Sequence, residues 1–103
     1  LEAWNGSNPL GALEACWTED GVYRDKMTVA RGRQALAGTI LMAQRFMPGV
    51  KLELDGAPDQ CQGYVRFNWR MRHADGTPLG TGQNFGRLLP SGHFTELTGF
   101  WNA

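Results

Sequence analysis

The sequence predicts an α+β domain in which helices come first and an antiparallel sheet follows. Apolar residues recur at helical spacing in two stretches before Pro48, whereas apolar and polar residues alternate in the stretches after it. Two glycine turns separate the last three alternating stretches, as in a meander. A chain of 103 residues therefore predicts one domain that spans 1–103.

The composition favours a globular domain whose partner is uncharged. Ten Lys and Arg balance ten Asp and Glu, which argues against a nucleic-acid partner or a charged membrane anchor. No apolar run approaches the roughly 20 residues that span a bilayer, so we expect no membrane association. Cys16 and Cys61 are too few for a disulfide scaffold, and we interpret both as structural thiols of a cytoplasmic protein.

The first predicted helix begins at Asn8-Pro9, with Asn as the cap and Pro in the first turn. Gly21 is expected to end it, and its buried face comprises Leu10, Leu13, Cys16 and Trp17. The residues before it, at 2–4, have the pattern of a helix whose beginning is missing. A short strand is predicted over 22–25, with Tyr23 and Asp25 on the same side.

A second helix is predicted from Gly32 to Met47, after a polar loop. Alternation then predicts strands over 50–54, 65–72, 79–89 and 94–101. Residues 56–59 are expected to form a turn, and Cys61 is expected in a turn as well. Asp75-Gly76 and Ser91-Gly92 are predicted to be two-residue type I′ hairpin turns.

These hairpin turns fix the pairing of the strands. Trp69 is predicted opposite Gly82 and Gly82 opposite Trp101, while Asn84 lies opposite Gly99. One face of the sheet then carries four glycines, several aromatic side chains and one amide: Phe67, Trp69, Met71, Gly80, Gly82, Asn84, Gly86, Leu97, Gly99 and Trp101. A one-residue slip would exchange the two faces.

The glycines on this face allow two compatible interpretations. They let Trp69 and Trp101 pack onto the sheet beside Gly82, or they open a ligand cavity with aromatic walls and Asn84 in its floor.

Two other motifs in the sequence do not predict a binding site. The glycines at 80–86 have the spacing GxGxxxG with no helix after them, and His73 and His93 lack a second ligand at metal spacing, so neither a dinucleotide nor a metal site is predicted.

Asp25 is the candidate for acid–base chemistry. At the end of a strand that faces an aromatic interior, desolvation would favour its protonated form and make it a usable general base. The alternative is a strand-end aspartate that caps the next loop or pairs with Arg31 or Arg33. The sequence leaves both interpretations open.

The order of the elements and three segments resemble the nuclear transport factor 2-like superfamily, which includes ketosteroid isomerase and the SnoaL-like polyketide cyclases. The segments are residues 16–25 (CWTEDGVYRD), Arg31-Gly32 and residues 84–101 (NFGRLLPSGHFTELTGFW). The resemblance implies a cone-shaped α+β barrel with N-terminal helices packed on a curved, mostly antiparallel sheet. It covers the chain apart from a first helix that is incomplete, and it implies a homodimer.

The resemblance also implies roles for individual residues. Asp25 matches the isomerase base, Asn84 matches the protonated aspartate of the oxyanion hole, and Trp101 matches an aromatic residue of the last strand. The oxyanion tyrosine of the first helix falls at Leu1, which cannot donate a hydrogen bond. Asn84 replaces a carboxylic acid, so the match to the isomerases is incomplete.

The leading hypothesis is a protein that binds a small, apolar, oxygenated ligand and needs no metal or cofactor. Asp25 and Asn84 are the predicted catalytic residues, and the predicted ligand-binding residues are Trp17, Tyr23, Phe67, Trp69, Gly82 and Trp101. The alternative is a non-catalytic domain that uses the other face of the sheet for dimerisation or partner binding. That face carries Arg70, Thr81, Gln83, Phe85 and Thr98.

Overall fold

The helices lie in the first half of the chain and the long strands in the second, in a computed structural model that describes residues 2–102. The helices are α1 (Glu2–Asn5), α2 (Pro9–Cys16) and α3 (Arg33–Phe46). The strands are β1 (Trp17–Arg24), β2 (Val29–Arg31), β3 (Lys51–Leu54), β4 (Asp59–Cys61), β5 (Tyr64–Arg72), β6 (Pro78–Leu88) and β7 (Phe94–Asn102). None of the described helices is long and apolar enough to cross a membrane.

The two longer helices begin where the sequence predicts. The side chain of Asn8 accepts a hydrogen bond from the Gly11 amide at 3.2 Å, and Pro9 is the first residue of α2, so one of the helix's otherwise unpaired amides is satisfied. α3 is flanked by Gly32 and Met47, in agreement with the prediction. Gly32 has φ 92°, a conformation that glycine adopts without a steric cost.

The prediction for Trp17 and Gly21 was wrong. Trp17 has an extended backbone, begins β1 and pairs with Phe94 of β7 rather than completing α2. Gly21 lies inside β1 instead of ending a helix. A Cβ atom on Gly21 would be 2.5 Å from Nε1 of Trp17. The strand therefore needs a glycine there because the Trp17 indole lies over its backbone.

One mostly antiparallel sheet contains all seven strands, in the order β2-β1-β7-β6-β5-β3, with β4 paired to β5. β1 and β7 run parallel, and the other described pairs are antiparallel. The α+β class and the helix-on-sheet architecture are thereby confirmed. The parallel contact brings the end of β1, with Tyr23 and Asp25, beside the last strand.

Both long hairpins have the predicted register. Trp69 pairs with Gly82, Gly82 with Trp101, and Asn84 with Gly99. Partners directly opposite each other share a face of the sheet. The predicted face with the aromatic side chains and Asn84 is therefore correct.

The turns of these hairpins differ from the prediction. Residues 74–76 form the first loop, closed by a hydrogen bond from the His73 amide to the Thr77 carbonyl at 2.9 Å, and residues 90–92 form the second in the same way. Gly76 and Gly92 end the loops with φ 89° and 88°. A β-bulge follows each loop, and its extra residue offsets the longer loop, which restores the predicted register.

Two three-residue strands, β2 and β4, were not predicted. The predicted turns at residues 56–59 and at Cys61 are wrong for Asp59 and Cys61, which lie in β4. The turn falls instead at Gln62-Gly63, where φ values of 48° and 86° match a type I′ hairpin. Three residues are too few for alternation to indicate a strand.

The core lies between the helices and one face of the sheet, here called the inner face. The buried residues that form it include Leu13, Trp17, Tyr23, Leu36, Ala37, Ile40 and Leu97. The inner face comprises Tyr23, Val65, Phe67, Trp69, Gly82, Asn84, Gly86, Leu97, Gly99 and Trp101. At Gly82 the packing interpretation is confirmed for Trp69, because a Cβ there would overlap its indole.

Candidate functional site

Asn84 is a buried polar side chain of the inner face, with 8% of its surface exposed. Nε1 of Trp69 donates a hydrogen bond to its Oδ1 at 2.9 Å. An indole nitrogen can only donate, so this bond distinguishes the oxygen of the amide from its nitrogen. Within residues 2–102, Nδ2 of Asn84 makes no hydrogen bond to the protein, and it remains a donor that a ligand can use.

Tyr23 lies on β1 beside this amide and is 5% exposed. Its ring is tilted against that of Trp4, with the centroids 5.8 Å apart. Burial raises the pKa of the Tyr23 phenol well above its ordinary value, and the negative charge of Asp25 and a hydrogen bond to it act in the same direction. The phenol therefore keeps its proton at neutral pH.

Asp25 follows β1 directly and is half-buried. Its Oδ1 accepts hydrogen bonds from the amides of Met27 and Thr28, both at 2.9 Å, so the predicted capping of the next loop is confirmed. The described residues contain no ion pair between Asp25 and Arg31 or Arg33. The two amides fix the carboxylate in one orientation, and its role as a base stays a prediction.

Gly99 brings the phenol and the amide together. A Cβ atom at Gly99 would lie 3.0 Å from Oδ1 of Asn84 and 3.1 Å from the hydroxyl oxygen of Tyr23. The two oxygens thus approach the same point of β7 from two sides, and a larger residue would push one of them away. Tyr23, Asn84 and Trp69 consequently form one polar row across an otherwise apolar face, and Asp25 follows Tyr23 at the end of β1.

The other predicted ligand-binding residues are placed differently. Trp17 is 2% exposed, lies at the opposite end of β1 from Tyr23 and packs against Phe94 at 6.0 Å. Phe67 is partly buried against the core, and Trp101 is half-buried opposite Gly82. The structure therefore groups Tyr23, Trp69, Gly82 and Asn84 but encloses Trp17 in the core.

Two residues near this row were not predicted. Trp4 of α1 contacts Tyr23, and Nζ of Lys26 donates to the carbonyl oxygen of Trp101 at 2.7 Å, which ties the loop after Asp25 to the end of β7. α1 has only four residues, too few for a periodic pattern to indicate which side Trp4 faces. No sequence pattern predicts a hydrogen bond from a lysine to the backbone carbonyl of a distant residue.

The opposite side of the sheet, here called the outer face, carries exposed aromatic and charged side chains. A groove of about 600 Å³ lies over it, lined in part by Tyr64, Phe85, Arg87 and Glu96. Phe85 packs edge-on against Phe100 at 6.0 Å. Within the described part of the chain, no group of three or more His, Cys, Asp or Glu is arranged to hold a metal ion.

Comparison with known proteins finds solved structures of the same fold but no curated protein with a similar sequence. No protein-family model matches the chain, and no curated protein is significantly similar to it. A crystal structure of a candidate isomerase of the SnoaL-like family from Agrobacterium tumefaciens is 28% identical, with a TM-score of 0.93, and the match covers 100% of this chain and 91% of that one.

Two less similar structures share the fold. A hypothetical protein with a ketosteroid isomerase-like fold from Catenulispora acidiphila, solved with trimethylamine, is 17% identical at a TM-score of 0.78 and covers 95% of this chain and 78% of its own. A candidate SnoaL-like polyketide cyclase from a Jannaschia species is 10% identical at a TM-score of 0.81, with coverage of 98% and 78%. The chain thus has the fold of the nuclear transport factor 2-like superfamily and is similar to proteins described as SnoaL-like and ketosteroid isomerase-like.

Proposed function

We propose that the inner face binds a small, apolar carbonyl compound and moves a proton at the carbon next to its carbonyl group. The observation that carries the proposal is the amide of Asn84, which is buried among aromatic side chains and has a free Nδ2 donor. In the described part of the chain, the fully buried side-chain atoms that lack a hydrogen bond are Nε1 of Trp17 and Oγ1 of Thr18. Nδ2 of Asn84 is not one of them, so it is accessible to solvent and a ligand oxygen can accept its hydrogen bond in place of water. The candidate isomerase and cyclase of the same fold support this class of chemistry.

In the proposed reaction, Asp25 is the base. Its Oδ1 is held by two backbone amides, which leaves Oδ2 to accept the proton. The electron pair of the broken C–H bond moves to the carbonyl oxygen and gives an enolate, and Nδ2 of Asn84 donates to that oxygen. In a β,γ-unsaturated ketone the enolate is conjugated with the C=C bond, so return of the proton from Asp25 to the γ-carbon completes an isomerisation. In a compound with a second carbonyl group, attack of the enolate carbon on that carbonyl carbon closes a ring, and the resulting alkoxide takes the proton back from Asp25.

Tyr23 is proposed to hold Asp25 in place rather than to act as an acid. Burial and then the negative charge of Asp25 raise the pKa of the phenol, so the phenol keeps its proton and would donate a hydrogen bond to that carboxylate. Trp4, Phe67 and Trp101 would supply apolar contacts to the ligand. Because this face carries one carboxylate among several aromatic rings, an uncharged ligand suits it better than an anion does.

The test is exchange of the α-protons of cyclic ketones in deuterated buffer, followed by NMR, with cyclic β,γ-unsaturated ketones as isomerisation substrates. We expect Asp25→Asn to lose at least about a hundredfold of the wild-type rate, with a small change in stability. Asp20→Asn, at an exposed position of β1, is the matched control and should keep the rate. No turnover of either ketone class by the wild type, or full activity of Asp25→Asn, would refute the catalytic proposal.

A second candidate function, homodimerisation through the outer face, has its own support. Phe85 and Phe100 contact each other edge-on while 42% and 53% exposed. The same face carries the ion pairs Arg66–Asp59 and Arg24–Glu96, so it combines exposed aromatic rings with charges of both signs, as a self-complementary interface does. Sedimentation velocity at micromolar concentration should give a dimer that Phe85→Ser weakens. Phe46→Ser, at an 86% exposed position of α3, is the control; a monomeric wild type would refute this candidate.

A further inference from the structure

The groove over the outer face lies where two rows of facing residues cross neighbouring strands. Tyr64, Arg87 and Glu96 are directly opposite one another on β5, β6 and β7. Phe85, two residues before Arg87 on β6, lies in the adjacent row. The volume of about 600 Å³ falls in the range of small-molecule sites, roughly 300–1,000 Å³, so the groove has room for a ligand of one or two rings.

The charges at the groove are paired except for one. The carboxylate of Asp59 on β4 lies 3.1 Å from the guanidinium group of Arg66. That of Glu96 lies 3.6 Å from Arg24 of β1. Arg87 is opposite Glu96 in the sheet, yet among residues 2–102 its side chain forms no ion pair and donates no hydrogen bond. Because both carboxylates of the groove have another arginine as partner, Arg87 contributes a positive charge that is not compensated.

The guanidinium group of Arg87 is held over an aromatic ring. Its central carbon lies 5.9 Å from the centroid of the Tyr64 ring, within the range of a cation–π interaction. That interaction uses the charge of the group and leaves its five N–H donors available. A carboxylate can accept two of these donors at once, and such a pair is stronger than a hydrogen bond between neutral groups. Arg87 is therefore suited to bind a carboxylate.

Exposed rings beside Arg87 suit an apolar ligand body with a single negative charge. Tyr64 and Phe85 are 59% and 42% exposed, so a ligand ring that covered them would remove apolar surface from water. A phosphate group carries close to two negative charges at neutral pH, and the nearby carboxylates of Asp59 and Glu96 would repel it more strongly than a monoanion. The groove thus favours an aromatic monocarboxylate.

We propose that this groove is a ligand site separate from the inner face, in which Arg87 binds the carboxylate of an aromatic monocarboxylate and the rings of Tyr64 and Phe85 contact its apolar part. The site does not depend on Asp25, so failure of the proposed reaction would leave it unaffected. It shares Phe85 with the surface of the proposed dimer, and a second copy that covered the groove would exclude the ligand.

The first experiment compares two probes of the same shape, 2-naphthoate and the uncharged 2-naphthamide, by titration of the ¹⁵N-labelled full chain in ¹H–¹⁵N spectra. Naphthoate should shift the backbone amide signals of Phe85, Arg87 and Glu96. It should bind roughly tenfold more tightly than naphthamide, as expected for a hydrogen-bonded charge pair. The indole signal of Trp69 on the inner face should stay in place. Equal affinities, shifts confined to the inner face, or no binding of naphthoate would each overturn the proposal.

The second experiment removes the charge. Arg87→Gln should weaken the binding of naphthoate about tenfold and change that of naphthamide less than about twofold. Arg45→Gln is the matched control, because Arg45 of α3 is also exposed and without an ion pair within the described part of the chain. It should keep both affinities. Undiminished binding of naphthoate by Arg87→Gln, or an equal loss in Arg45→Gln, would overturn the proposal.

Discussion

The six-membered ring of Trp69 occupies the space that a side chain on Gly82 would fill, on the neighbouring strand β6. Gly82→Ala should therefore force the indole away, strain the Asn84 bond and destabilise the fold by about 1–3 kcal/mol, as overpacking of a core does. Gly38→Ala, in α3 with no atom near the new methyl group, should instead stabilise it by about 0.5–1 kcal/mol. Urea denaturation measures both, and equal effects of the two variants would contradict the contact.

Tyr23 should make the fold sensitive to alkaline pH. Because the pKa of its phenol is raised in the folded state, its contribution to stability is complete below the unfolded-state pKa of about 10 and is lost as the pH rises above it. The Tyr64→Phe variant leaves Tyr23 as the sole tyrosine of the chain. Its phenolate absorbance should rise only together with unfolding, and ionisation in the native state near pH 10 would argue against burial of the phenol.

Glu53 should give the opposite response in acid. Hydrogen bonds from Arg72 and Arg70, at 2.6 and 2.5 Å, hold the pKa of its carboxyl below the ordinary value. Its contribution is present above the unfolded-state pKa of about 4.3 and is lost as the pH falls through the folded-state pKa. The melting temperature of Glu53→Gln should thus depend less on pH below about 5 than that of the wild type. Glu14→Gln, at an exposed position of α2, should not differ from the wild type in this respect.

Gln62 is a strained position. It is the non-glycine residue with a positive φ, 48°, among residues 2–102, and the first loop residue of a type I′ turn favours Asn or Gly. Gln62→Asn should stabilise the fold by up to about 1 kcal/mol, because a left-handed conformation costs most side chains roughly that much. Gln60→Asn in β4 has no such benefit and serves as the control. Thermal denaturation distinguishes them, and a destabilised Gln62→Asn would show that the turn is not strained.

The sequence predicted the fold better than the turns that shape it. The pairing of Trp69 with Gly82 was correct although the loop before it was not, because the longer loop and the bulge cancel. Strand register is dictated by which side chains must be buried. The alternation of apolar and polar residues around Trp69 indicates clearly which side chains those are. The loop type depends on one or two φ values, and Asp-Gly and Ser-Gly are compatible with more than one of them.

The candidate site was predictable in part. Alternation placed Asn84 and Trp69 on one face, as the structure does. It could not reveal the hydrogen bond between them, because that bond depends on the rotamers of two side chains 15 residues apart in sequence. It also missed the contact of Trp4 with Tyr23, since the position of a four-residue helix is set by tertiary packing and not by its own pattern.

The parallel pairing of β1 with β7 has a consequence for how the protein is made. The strand that carries Tyr23 is synthesised early, yet one of its two neighbours in the sheet is β7, which is synthesised after every other strand of the sheet. Contacts so distant in sequence form slowly, because the chain must lose the entropy of closing a long loop before the contacts can stabilise it. Until β7 has emerged from the ribosome, Tyr23 of β1 and Asn84 of β6 cannot both pack against Gly99. The candidate site therefore forms only after the last strand has been synthesised.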